Sequence, residues 1–188
     1  QPNDDIFDLL GVSEEDDYYV VRFNAFDAVH DYGINGFDTR AKIHLVNLLK
    51  EQGKVFISAE GTIPRELEPY VLKTPKNRIH DVLSYAKLLV TDTQTMATEA
   101  AILGTPTVRC NGFVGTNDMS NFVELEYRYG LIYNYDNAEQ SIQKAADLSR
   151  HGELKDEWKR RQSALLIDKV DIVDYMVTML EKYLHSPN

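Results

Sequence analysis

Cysteine is nearly absent from this chain, and long apolar runs, an excess of positive charge and the common catalytic fingerprints are missing altogether. Cys110 is the one cysteine in 188 residues, so no disulfide framework can form within the chain and a reducing, cytoplasmic setting is expected. It falls in a stretch that reads as buried strand, where a structural thiol is the commoner role than a reactive one. No apolar run approaches the ~18 residues of a membrane span, and the start lacks a basic segment followed by an apolar one, so an integral membrane protein is not expected. Lys and Arg number 20 against 30 Asp and Glu, a formal charge of −10, which disfavours a nucleic-acid partner. A local anion site survives that balance, because a helix N-terminus needs few formal charges. The chain opens at Gln1 without a methionine, as a piece of a longer protein would.

Several chemistries lack their motifs. There is no G-x-G-x-x-G, no G-x-x-x-x-G-K-[ST] and no G-x-S-x-G, which removes the usual dinucleotide, P-loop and nucleophile-elbow signatures. His30, His44, His80, His151 and His185 show no paired ligand spacing, so no metal is expected. Basic residues do not alternate with aromatics along a face, against single-stranded nucleic acid.

What is present is a dense run from Lys87 to Asn111, KLLVTDTQTMATEAAILGTPTVRCN. Leu88, Leu89 and Val90 suit a strand buried on both faces. Asp92 and Thr93 offer N-cap side chains, and Met96, Ala97, Ala100, Ala101 and Leu103 recur at helical spacing up to Gly104, a natural C-cap. Pro106 introduces the next strand, Thr107 to Cys110. A strand feeding a helix through a small polar turn leaves outward-pointing N–H groups, the arrangement by which α/β proteins hold phosphate. An ordinary βαβ crossover is the plain alternative.

The same alternation runs through the chain. Strands are expected at Tyr18–Phe23, Lys54–Ser58, Tyr70–Lys73, Leu88–Val90, Thr107–Cys110 and Leu131–Tyr133. Helices are expected from an Asp38 or Thr39 cap to Gln52, from Asn77 to Ala86, and over 121–128, 138–149 and 153–185, with one helical turn at Ile6 to Leu10 before Gly11. The reading is a single Rossmann-like α/β domain over 1–188, a parallel sheet of about six strands with helices on both faces. Polar residues gather in the turns after strands, at Arg22 to His30, Ser58 to Thr62, Asp92 to Thr95 and Asn111 to Asn117. In an open parallel sheet those turns share the carboxyl edge, where ligands bind.

Glu99 stands out there, well inside its helix among alanines. A carboxylate at that position can accept two hydrogen bonds from a vicinal diol such as ribose, or sit in solvent. Arg22 closes a buried strand and needs an anionic partner, either a substrate or Glu60. His30 and His80 read as surface or capping residues before they read as catalytic ones, and Glu60, His80 and Asp92 complete the candidate pocket. Tyr127, Tyr129, Tyr133 and Tyr135 suit packing better than a sugar platform.

With those residues in hand, the chain resembles the carboxyl half of the family catalogued as domain of unknown function 354, itself similar to GT-B glycosyltransferases and to UDP-N-acetylglucosamine 2-epimerase. The resemblance runs from about Tyr18 to Leu180 on YYVVRFNAFDAVHD, KVFISAEG, RIHDVLSYAKLLVTD, TQTMATEAAILGTPTVR, LEYRYGLIYNY and DKVDIVDYM. It implies a missing amino-terminal domain and a nucleotide diphosphate sugar as substrate, with no cofactor and no metal. Thr93, Gln94 and Thr95 match a serine and two glycines that receive the diphosphate, and Glu99 matches the glutamate on the ribose hydroxyls. Gln94 and Thr95 depart from those glycines, which leaves the hydroxyls of Thr93 and Thr95 to supply contacts the backbone gives elsewhere. Arg22 to His30 lies where the pattern has a basic loop reaching the sugar phosphate, which makes Arg22 and His30 the catalytic candidates. The implied activity is metal-independent sugar transfer, with a nucleotide-sugar epimerase or a non-catalytic module as alternatives. The isolated chain is expected to turn nothing over. Its terminal helix is expected to expose an apolar side that a second copy, as a homodimer, could cover.

Overall fold

Four successive residues, Tyr18 to Val21, are fully buried, because the strand that holds them is paired on both edges and covered on both faces. The protein is described by a computed structural model over residues 2–25, 36–116 and 118–184. Its strands are β1 (Tyr18–Phe23), β2 (Lys54–Ala59), β3 (Leu88–Thr91), β4 (Thr107–Cys110) and β5 (Ile132–Tyr135). They form one sheet in the order β2-β1-β3-β4-β5, every pairing parallel. The helices are α1 (Ile6–Leu10), α2 (Thr39–Leu49), α3 (Ile79–Tyr85), α4 (Thr95–Leu103), α5 (Ser120–Tyr127), α6 (Ala138–Ser149), α7 (Leu154–Asp168) and α8 (Ile172–Leu184).

Alternation along β1 sorts the core into two layers. Tyr19, Val21 and Phe23 join Leu45, Val46 and Leu49 of α2 and Ile142, Ala145 and Leu148 of α6. Tyr18 and Val20 point the other way, onto Ile6 and Phe7 of α1 and Val82 and Leu83 of α3. Alanines let α4 pack close, Ala97 and Ala101 entering the first layer and Ala100 the second. Gly104 ends that helix at φ 78. A side chain there would be strained and would sit 2.6 Å from Oε1 of Gln162.

Several expectations need correction. The sheet has five strands, not about six. Where a strand was expected at Tyr70–Lys73, a 3-10 helix spans Arg65–Tyr70, and a single bridge joins Val71 to Ile57. Pro69 and Pro75 flank that stretch and have no N–H to extend a ladder. The helix expected from an Asn77 cap begins at Ile79 instead, Asn77 lying in a 3-10 turn over Lys76–Arg78.

The terminal helix expected over 153–185 is two helices. α7 ends at Asp168, and Lys169 takes an extended conformation. α7 is anchored by Leu154, Trp158 and Leu165, with the indole N–H donating to the Leu131 carbonyl at 2.7 Å. Each such burial contributes roughly 1.5–3 kcal/mol. α8 buries no residue and exposes Val173, Met176, Val177 and Leu180, so the expected apolar face is there, on the second piece. His185 lies outside the described residues. No helix among the described residues is long and apolar enough to cross a membrane.

Candidate functional site

The order β2-β1-β3 creates a switch point. The chain leaves β1 toward β2 on one side and returns to β3 on the other, so the turns after β1 and β3 diverge and open a crevice at the carboxyl edge. A cleft of about 440 Å³ lies there, lined by Arg22, Asn24, Glu60, Asp92, Thr93, Gln94, Thr95, Met96, Glu99, Asn111 and Phe113. Most of the candidates from the sequence are thus in one place.

Arg22, the next-to-last residue of β1, has its guanidinium donating to Ser58 Oγ at 2.8 Å and paired with Glu60. The choice between substrate and Glu60 as its anionic partner falls, in this state, to Glu60. Nε is buried and has no partner among the described residues. The pair bridges β1 and β2, and its Glu60 side is about half exposed, so it orients the arginine more than it stabilises the fold.

Asp92 and Thr93 do not cap α4. Thr91 Oγ1 accepts from the Thr93 N–H at 2.9 Å and shares a hydrogen bond with the Thr93 hydroxyl at 2.8 Å, a local turn that spends both side chains. The helix therefore starts later, at Thr95. Gln94 is its N-cap, and no side chain closes the first turn. Thr95 is exposed at the mouth of the cleft.

Asp92 instead ties β3 to β1. It is 1% exposed; Oδ1 accepts from the Asn24 N–H at 2.7 Å, and the Asn111 side chain donates to its backbone carbonyl at 3.1 Å. Oδ2 has no partner among the described residues. Burial pushes the Asp92 carboxyl up to about 6, against the pull of the Asn24 and Phe37 amides and the Lys42 charge.

Glu99 lines this cleft and a neighbouring one of about 390 Å³ between α3 and α4. Its side chain is 37% exposed and lies 3.5 Å from His80 Nε2. His80 belongs to the neighbouring cleft, not to the main one. His30 lies outside the described residues. Among the described residues no group of three or more His, Cys, Asp or Glu is arranged to hold a metal ion.

Residue-level reading of the sequence did not single out Asn24, Met96, Asn111 or Phe113 as lining, nor Lys42 as the cation facing Asp92. Asn24 and Asn111 were visible as polar residues after strands, but nothing local assigned them a direction. Arg109 was missed as well. It is fully buried in β4, paired with Asp118 at 2.6 Å and stacked 3.6 Å over the Phe122 ring, with Nε and Nη1 lacking partners among the described residues. Burial lowers its pKa. A charged residue inside the apolar strand TVRC was the available signal. Cys110, buried beside it, has its thiol pushed up by burial, as suits a structural thiol.

Solved structures share this architecture. The calicheamicin glycosyltransferase CalG4 superposes with a TM-score of 0.56 and 17% identity over 92% of this chain and 44% of its own. A Listeria monocytogenes protein designated a UDP-N-acetylglucosamine 2-epimerase gives 0.53 and 14% over 80% and 40%. The kitacinnamycin glycosyltransferase gives 0.50 and 12% over 80% and 39%. The likeness is one of fold. The chain has the architecture of one Rossmann-like half of a GT-B protein, and it spans about two fifths of the length of these structures. No family model and no curated protein matches the chain, so the narrower resemblance to domain of unknown function 354 gains no support from that side.

Proposed function

We propose that the cleft binds the diphosphate and ribose of a sugar nucleotide, and that the chain is the donor-binding, carboxyl-terminal half of a GT-B-like glycosyltransferase. One observation carries this reading: the uncapped first turn of α4 opens into the switch-point crevice, with Arg22 and Glu99 in the same cleft. Unpaired amides at a helix start are donors with a partial positive charge, suited to phosphoryl oxygens. Thr95 adds a further donor and Arg22 a positive charge, and the two oxygens of Glu99 suit the ribose diol.

In transfer, the bond from the sugar's anomeric carbon to the diphosphate oxygen breaks while the acceptor oxygen attacks that carbon and gives its proton to a base. The developing charge on the leaving diphosphate falls at the start of α4, where fixed dipoles stabilise it without reorganising. A base and the acceptor site are assigned to a preceding domain, because such reactions need a closed cleft between two halves. The reading uses no metal and no cofactor.

Titration of the chain with UDP and TDP, and with their sugars, followed by amide NMR tests it. Shifts confined to 93–99 and the neighbouring turns are expected at millimolar ligand, with no hydrolysis or transfer by the isolated chain. Absence of shifts there at millimolar nucleotide would favour a non-catalytic module, and turnover by the chain alone would remove the divided site. With the longer protein, interconversion of sugar epimers in place of transfer would identify the epimerase alternative.

A further inference from the structure

Asp92 is an odd lining for an anion site. Its side chain is almost wholly buried in the wall of the cleft, Oδ1 is held by the Asn24 amide, and Oδ2 is buried without a hydrogen-bond partner among the described residues, two residues before the N-cap of α4. A ligand seated here meets N–H donors from the helix start and one carboxyl oxygen. A phosphoryl group is acceptor-only near neutral pH. It can satisfy both sets of partners only if the carboxyl carries a proton.

Resting on the reading above, we propose that Asp92 takes up a proton when a nucleotide diphosphate sugar binds, and that its Oδ2–H donates to a phosphoryl oxygen at the start of α4. The charged groups around Asp92 agree with this. Lys42 from α2 is the cation that favours its ionised form. Arg22 on β1 is engaged by Glu60 after β2, Glu99 of α4 lines the same cleft, and the Cys110 thiol on β4 is itself held up partly by the Asp92 charge. Burial already raises the Asp92 carboxyl to about 6. Two further negative charges beside it shift the balance toward the neutral acid.

Isothermal titration with UDP-N-acetylglucosamine and with UDP-glucose tests the proposal, because their diphosphates are esterified at both ends and do not titrate near neutral pH. Measured at about pH 5.5 and about pH 8 in two buffers of different ionisation enthalpy, affinity should fall roughly 10-fold to 100-fold toward high pH. Close to one proton per site should be taken up at the higher pH. Asp92→Asn keeps an acceptor for the Asn24 amide and puts an N–H₂ donor in place of Oδ2–H, so its affinity should stay near the low-pH value throughout, with no uptake. Binding by the natural chain without uptake and without a pH slope would overturn the inference and leave the proposed function standing. Uptake that persists in Asp92→Asn would overturn it too, by moving the proton to another group. Failure of both proteins to bind would overturn the underlying reading and this inference with it. If the variant does not fold, the proton count of the natural chain decides alone.

Discussion

Helices α2, α4 and α6 each follow a strand and begin at the same edge of one parallel sheet, yet they begin differently. Asp38 closes α2 by accepting from the Ala41 N–H at 2.8 Å, and Asn137 closes α6 by accepting from the Gln140 N–H at 3.0 Å. α4 has no such cap. That alone is not the distinction, since α3, α5 and α7 also start without one. What sets α4 apart is its surroundings: the crevice between diverging turns, a buried carboxyl with a spare oxygen, and an arginine across the gap. At α2 and α6 the protein completes the first turn with a side chain. At the switch point it leaves the turn incomplete and positions other polar groups around it.

Four outcomes would sharpen or break that contrast. The largest concerns Asp92 and pH. Its carboxyl is held up to about 6 in the folded chain against an ordinary 3.8, so the folded state keeps a proton that the unfolded chain releases. The stability from this group is complete below about pH 4 and is lost as pH rises through 6, a change on the order of 3 kcal/mol. Urea unfolding between pH 4 and 7 should show this slope, and Asp92→Asn should flatten it and be the more stable protein at pH 7. A flat profile in the natural chain would mean that Asp92 is not strained by burial.

Glu99→Ala comes next. It should weaken nucleotide binding by ~10-fold to ~100-fold, the worth of a charge-assisted hydrogen bond, with an unchanged unfolding midpoint. Equal affinity would take Glu99 out of the site.

Asn137→Ala at the start of α6 should then cost about 1 kcal/mol of stability and leave nucleotide affinity alone. Loss of affinity there would erase the division between structural and ligand-facing helix starts. Gln94→Ala at the start of α4 should be the smallest, within about 0.5 kcal/mol in unfolding, because Thr98 bonds to the backbone carbonyl of Gln94 and not to its side chain. A larger cost would reveal a hidden cap.

Much of this was legible in the chain. The alternation of β-branched runs with helical spacing is a local signal, and it located every strand of the sheet, the turns that line the cleft, and Thr93, Gln94, Thr95 and Glu99 within it. A cap for α2 at Asp38 or Thr39, of which the structure uses Asp38, and Gly104 as a helix stop were equally readable, because capping and left-handed backbone depend on the residue and its immediate neighbours.

Other features were decided only when distant segments met. Tyr70–Lys73 has strand-like residues, but a strand exists only through a partner, and this one finds a single bridge to Ile57. Asp92 has the chemistry of a cap, yet the amide of Asn24, arriving from β1, takes its oxygen first. Whether Arg22 faces a ligand or Glu60 turns on the pairing of β1 with β2, which places Ser58 and Glu60 beside it. The continuous helical pattern of 153–185 could not show where packing stops, and the chain breaks where α7 has spent its last buried side chain, Leu165, and α8 finds none to bury. Local propensity is written residue by residue, whereas burial and the competition for hydrogen-bond donors belong to pairs of residues far apart in the chain, and only the folded arrangement says which pairs form.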